Sequence, residues 1–142
     1  MNGLDFARQL DRNAPMPMAG HFAFRLLEIG KGSIVAEATP DSSHENPFHV
    51  VQGGFASTVL DMALGILTIS VLTSAAVSVA TTDLSVRYLR GVSSNSGRMI
   101  IRGSVLHAGR QVIVAQTILE DSQGKLCAIA QSSSLIAYAT NS

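Results

Sequence analysis

HENPFHVVQGGFASTVLDMALG, residues 44–65, decides how this chain folds. It starts as a polar loop, passes through Gly53 and Gly54, and becomes an apolar run. From Phe55 to about Leu72, the residues Phe55, Val59, Met62, Ala63, Ile66 and Leu67 recur at helical spacing, while Leu60 and Leu64 fill the other side. A helix apolar nearly all round is one buried nearly all round. Within it Asp61 is the only charged residue of the 30 positions from 53 to 82. Aspartate is a poor helix-interior residue, and an unpartnered buried carboxylate is costly. Asp61 must therefore be held by a neighbouring loop, or face a cleft or a subunit boundary.

Outward from this helix the chain reads as strands. On the N-terminal side, residues 3–12 form a short helix that the Asn13–Pro17 stretch with its two prolines ends. FAFRLLEIG and SIVAEAT, joined around Gly30 and Gly32, read as a hairpin. A loop rich in Ser, Asn, Pro and His spans Pro40 to about Val51. On the C-terminal side four β-rich stretches follow, at 77–89, 98–108, 111–120 and 125–138. GVSSNSG, HAGR and DSQGK separate them, each with a glycine suited to a tight antiparallel turn. Two strands, a central helix and four strands in a meander make an α+β domain. So short a chain can bury so apolar a helix only by wrapping the sheet around it. The expectation is one domain over residues 1–142, with residues 1–17 as an N-terminal helix and loop.

Composition narrows the function classes. Hydrophobic residues make up 46% and charged ones 14%, so some surface is expected to be covered by other subunits. A net charge of zero gives no general attraction to nucleic acid or anionic membrane. Cys127, the only cysteine, lies in a strand-like stretch and reads as a buried structural thiol. The N-terminus lacks the long apolar segment of a secretory signal, which points to the cytoplasm. Residues 62–80 are uncharged for 19 positions, but five of these are Ser or Thr and no Lys or Arg lies between Lys31 and Arg87. The cationic anchors of a membrane helix are missing.

Gly53 and Gly54 stand where a helix presents amides without internal partners and the positive end of its dipole. An amide there can hold the oxyanion formed when a carbonyl is attacked; glycines that simply make the loop-to-helix turn are the plainer reading. His44, Glu45 and His49 nearly spell a zinc motif, but the histidines are five apart with Pro47 between them. They cannot serve one metal from one helix. Five of the eight arginines fall between Arg87 and Arg110. Arg90 and the HAGR turn of His107, Gly109 and Arg110 suit phosphate groups, or an ordinary surface role. Tyr88 reads as packing.

Asn46, Gln52-Gly53-Gly54 and Asp61, followed by TTDLSVRYLRG and VLHAGRQVIVAQTILEDSQGKLCAIA, resemble the hotdog-fold thioesterases of the phenylacetyl-CoA thioesterase-like group, relatives of 4-hydroxybenzoyl-CoA thioesterase. The resemblance covers residues from about 20 to 138. It implies hydrolysis of an aryl- or medium-chain acyl-CoA without metal or cofactor, by a homotetramer of hotdog dimers whose sites are shared between subunits. Asp61 would be base or nucleophile, and the Gly53 amide would polarise the carbonyl. Thr81 would position water or the carboxylate, with Thr82 expected on the other strand face. Asn46 would bind water or the carbonyl from the opposing loop, and Gly54 and His49 would adjoin the substrate. The chain departs from the group at Gln52, where histidine is common. Glutamine can orient a carbonyl but cannot shuttle a proton. That departure keeps open a non-hydrolytic acyl-CoA-binding protein, while a hydratase lacks its Asp–His pair here.

Overall fold

The computed structural model describes residues 2–10, 16–73 and 76–138. Helix α1 (Gly3–Gln9) is capped by Asn2, whose side chain accepts from the Asp5 amide at 2.9 Å. The expected end of this helix at residue 12 and most of the Asn13–Pro17 stretch lie outside the described residues. Strands β1 (Arg25–Gly30) and β2 (Ser33–Ala38) form the expected hairpin, closed by Gly32 at φ +80°. Only glycine takes that conformation at little cost.

Helix α2 (Gly53–Ile69) begins at the glycine pair itself, two residues before the first apolar position. Phe55, Val59, Leu60, Ala63, Leu64 and Leu67 are buried in the core. Each buried leucine contributes about 2 kcal/mol, so Leu60→Ala or Leu64→Ala would cost about 2–5 kcal/mol. Beneath the helix, the buried Thr117 hydroxyl donates to the Leu60 carbonyl at 3.3 Å. Burial is not complete all round. Ser57, Thr58, Asp61, Met62, Gly65 and Ile69 form a half-buried stripe along one side.

Strands β3 (Ala76–Tyr88), β4 (Met99–Ala108), β5 (Val112–Glu120) and β6 (Leu126–Tyr138) complete a six-stranded sheet of order β1-β2-β4-β5-β6-β3, with every pairing antiparallel. The expected four-strand meander is corrected: only β4, β5 and β6 are consecutive neighbours. The chain leaves β2, runs through α2 against the sheet, and re-enters as β3 at the far edge. Residues 89–98, including GVSSNSG, are therefore a crossing segment and not a hairpin turn. The sheet wraps around α2 with Ala36, Ile101, Ala115, Leu119 and Ala130 on its buried face. Strand β3 pairs on one side only, leaving a 13-residue edge. Residues 62–80, weighed above for a membrane span, divide between α2 and β3, and no helix among the described residues is long and apolar enough to cross a membrane.

Candidate active site

The loop before α2 is built by its own polar groups. Asn46 Oδ1 accepts from the amides of Phe48 at 2.9 Å and Val50 at 3.2 Å, so the side-chain oxygen shapes the loop and leaves the amide nitrogen free to donate elsewhere. His44 stacks on Phe22 and lies 4.9 Å from the Phe55 ring, and its carbonyl accepts the Gln52 amide at 2.8 Å. His44 thus anchors the loop to the start of α2. His49 takes a left-handed backbone (φ 62°) and its side chain is 86% exposed, beside Glu45 at 3.6 Å. Among the described residues no three His, Cys, Asp or Glu side chains gather where they could hold a metal.

Gln52 is the N-cap of α2, exposed, and its side chain makes no capping bond. The crossing segment after β3 passes this helix start, tied down where the Val51 amide donates to the Val92 carbonyl at 3.0 Å. Together they enclose a pocket of about 380 Å³ lined by Gln52, Gly53, Tyr88, Arg90, Val92 and Cys127 among others. The structure therefore brings Gln52, Gly53 and Arg90 together. Tyr88 does more than pack: its hydroxyl lies 2.5 Å from Ser57 Oγ, and its ring would meet a Cβ on Gly53 at 3.1 Å. A side chain at position 53 would press on the far end of the Tyr88 ring, which would have to give by a few tenths of an ångström.

Asp61 lies two turns further along the same helix side, beyond Ser57. It is half-buried and forms no hydrogen bond or ion pair among the described residues. Burial alone raises its pKa, because desolvation disfavours the carboxylate. Thr81 and Thr82 differ in a way simple alternation does not foresee. A bulge between Thr81 and Asp83 interrupts the register, and the Thr82 hydroxyl donates to the Ser133 carbonyl at 3.2 Å. Thr81 pairs with Ser134, which is 3% exposed on the helix-facing side, so Thr81 shares that face. Ser132, also buried there, has a hydroxyl without a partner among the described residues. The Gln131–Ser134 run, three serines in an otherwise apolar strand, is the sequence signal for these buried hydroxyls.

The turn of His107, Gly109 and Arg110 lies elsewhere. It joins β4 to β5 at the sheet end where the Tyr138 hydroxyl donates to the Arg110 carbonyl. A Cβ on Gly109 would sit 2.8 Å from His107 Nε2, so this glycine lets the histidine fold over the turn. Arg90 stands at the opposite end, its amide donating to the Cys127 carbonyl at 3.2 Å. Within one chain these two cationic candidates are not neighbours.

The chain is similar to three known proteins. The chain is 29% identical over 118 residues to the proofreading thioesterase EntH of Klebsiella pneumoniae, covering 83% of this chain and 84% of that one. A phenylacetic acid degradation-related protein of Ralstonia eutropha JMP134 superposes with a TM-score of 0.82 at 25% identity, over 92% of this chain and 98% of that one. A Streptococcus mutans UA159 protein bound to acetyl CoA superposes with a TM-score of 0.73 at 21% identity, over 81% and 89% of the two chains. The family model of the thioesterase superfamily matches residues 48–128, from the loop before α2 to the start of β6. That match spans more than half of the chain, and the chain belongs to the thioesterase superfamily.

Proposed function

We propose that this thioesterase-superfamily member hydrolyses the thioester of an aryl- or medium-chain acyl-CoA, with Asp61 as base or nucleophile and the Gly53 amide polarising the carbonyl. The observation that carries the reading is one helix bearing both groups: a walled pocket at its positive end, and a half-buried carboxylate without a partner among the described residues. The acetyl CoA bound by the Streptococcus relative supports the coenzyme A portion, and the Ralstonia relative's link to phenylacetic acid supports an aryl acyl group. As base, Asp61 takes a proton from water while the water oxygen bonds to the carbonyl carbon. Collapse of the oxyanion then breaks the carbon–sulfur bond, and the thiolate leaves as the free thiol once protonated. Thr81 and the free amide nitrogen of Asn46 orient the water or the carbonyl.

One chain does not supply both groups to one thioester. A helix rises about 1.5 Å per residue, so Gly53 and Asp61 stand about 12 Å apart along α2. Reacting atoms need contacts of about 3 Å. The reading therefore pairs Gly53 of one copy with Asp61 of another. The unpaired edge of β3 supports such a pairing, because an open edge of that length is a template for another strand. Phe48, 83% exposed at the loop tip, suits a subunit contact. The assembly would be a tetramer of such two-fold pairs. The protein would act in the cytoplasm, with protein groups and water carrying the chemistry.

Mixing two inactive chains tests it. Gly53→Pro removes the amide at a first helical position where proline is tolerated, and Gln52 already has the ψ of 140° that suits a residue before proline. Loss of one oxyanion donor costs about 10²–10³ in kcat. Co-expressed with Asp61→Asn chains, the mixed oligomer is expected to recover turnover, since one of its two site types keeps both groups. No recovery in isolated mixed oligomers would sink the shared site. A second reading, acyl-CoA binding without hydrolysis, rests on Gln52; absence of thiol release across a panel of acyl-CoAs would favour it.

A further inference from the structure

One imidazole locks the turn that leads into the candidate active site. Ser42–His44 is a single 3₁₀ turn capped by Asp41, whose carboxylate accepts from the Ser43 amide at 2.8 Å. His44 Nδ1 returns the cap by accepting from the Asp41 amide at 3.0 Å. The other ring nitrogen, Nε2, lies 2.5 Å from the His21 carbonyl oxygen. These partners leave the ring one protonation state. An amide N–H only donates, so Nδ1 carries no proton; a carbonyl only accepts, so Nε2 carries one. His44 is therefore held as the neutral Nε2–H tautomer. Its side chain is 9% exposed, which gives water little access to replace either partner.

The same residue reaches the start of α2 by two routes. Its carbonyl accepts the Gln52 amide at 2.8 Å, and its ring lies 4.9 Å from that of Phe55 in the first turn. The Gln52 carbonyl in turn accepts the Phe55 amide at 2.9 Å. Gly53 and Gly54, between them, have amides with no partner among the described residues. What aims those amides is the backbone on either side. His44 does not line the pocket and acts only through Gln52 and Gly53.

The charged surroundings of the ring are simple. His21 meets it through a backbone carbonyl, its own side chain belonging to an exposed residue. Glu45 turns to the Ser94 hydroxyl at 2.8 Å and to His49. The first two turns of α2 hold no charge before Asp61. Asp41 Oδ1 lies 3.4 Å from Nδ1. A proton added to Nδ1 would meet the Asp41 N–H head-on. The ring would keep that proton only by turning from the amide toward the carboxylate, which undoes the reciprocal cap.

We propose that His44 is a positioning residue for the oxyanion site: neutral, it fixes the turn that aims the Gly53 amide, and protonated, it releases that turn, so turnover falls with falling pH. The inference rests on the thioesterase reading of that amide.

Nuclear magnetic resonance of the intact, isotope-labelled protein tests the linkage without substrate. The Gly53 amide resonance is expected to move with pH in step with the His44 ring, whose Nε2 carries the single proton at the high-pH end. His44→Asn keeps an acceptor for the Asp41 amide and cannot titrate, so that step is expected to vanish. A Gly53 amide that ignores the His44 ring in the wild type, or keeps the same step in His44→Asn, would overturn the proposal. Kinetics reads the consequence. Wild-type kcat should show an acid-side inflection at the His44 titration that His44→Asn lacks, with KM little changed. His44→Phe keeps the stack on Phe22 and loses both ring bonds. Its kcat should fall by about tenfold, less than the 10²–10³ of removing the donor outright, and His44→Asn should recover part of that loss. If Asp61→Asn and Gly53→Pro both keep full turnover, the thioesterase reading fails while the resonance linkage stands. If both are inactive and the His44 signatures are missing, only this proposal fails.

Discussion

Two aspartates show how differently one chain can treat the same carboxylate. Asp121, in the β5–β6 turn, accepts from the amides of Gln123 and Lys125 at 2.9 Å each, and these bonds hold its pKa below the usual aspartate range. Asp61, in α2, has no such donor among the described residues, and burial pushes its pKa up. The first is a residue whose charge is used by the fold. The second carries a charge the fold disfavours, which is the expected condition of a group kept for reaction.

Three substitutions press on that contrast. Asp61→Asn keeps the shape and removes the charge, and is expected to lower kcat by about 10³-fold, with ligand binding and oligomer intact. Its Tm at neutral pH should be equal or higher. The folded chain favours the protonated acid, so Asp61 subtracts stability above its raised pKa and subtracts none below 3.8. For the same reason, wild-type kcat/KM should rise with pH through an inflection above 3.8. A wild-type rate in Asp61→Asn would mean that the charge is not used. Gln52→His adds a group able to move protons at the start of α2. A gain of about tenfold is expected if proton transfer limits the natural chain, and an unchanged rate would mean that Gln52 already suffices. Asp121→Ala has the smallest effect: Tm falls, kcat is unchanged, and the loss fades as pH drops below the usual aspartate range. A fall in kcat there would show that the turn, too, belongs to the site.

The helix, the hairpin and the strand positions were legible because their apolar periods are strong. The lone charge of Asp61 in an apolar helix was legible for the same reason. Strand order was not. Glycines at 91 and 97 mark a turn-like composition, but nothing local says whether the strands on either side are neighbours; β3 lies beside β6 because α2 first carries the chain to the far edge. Nor did spacing reveal that the Thr82 hydroxyl is taken by Ser133, since a bulge breaks the two-residue period locally. Tyr88 against Gly53 is a contact between residues 35 positions apart in the sequence, beyond any spacing rule. His44, five positions from His49 in a near-metal spacing, instead stacks its ring on Phe22 and holds the Gln52 amide with its carbonyl.

The seating of α1 past the end of α2, where the Gly3 amide donates to the Leu72 carbonyl at 3.0 Å, has a bearing on how the molecule breathes. A seven-residue helix has little stability of its own, and α1 joins the rest across a long sequence separation, from Gly3 to Leu72. Such a unit forms late and opens early. Its amides should exchange with solvent well before those at the centre of α2. A leader or tag fused ahead of Asn2 would act on that local unfolding rather than on the core.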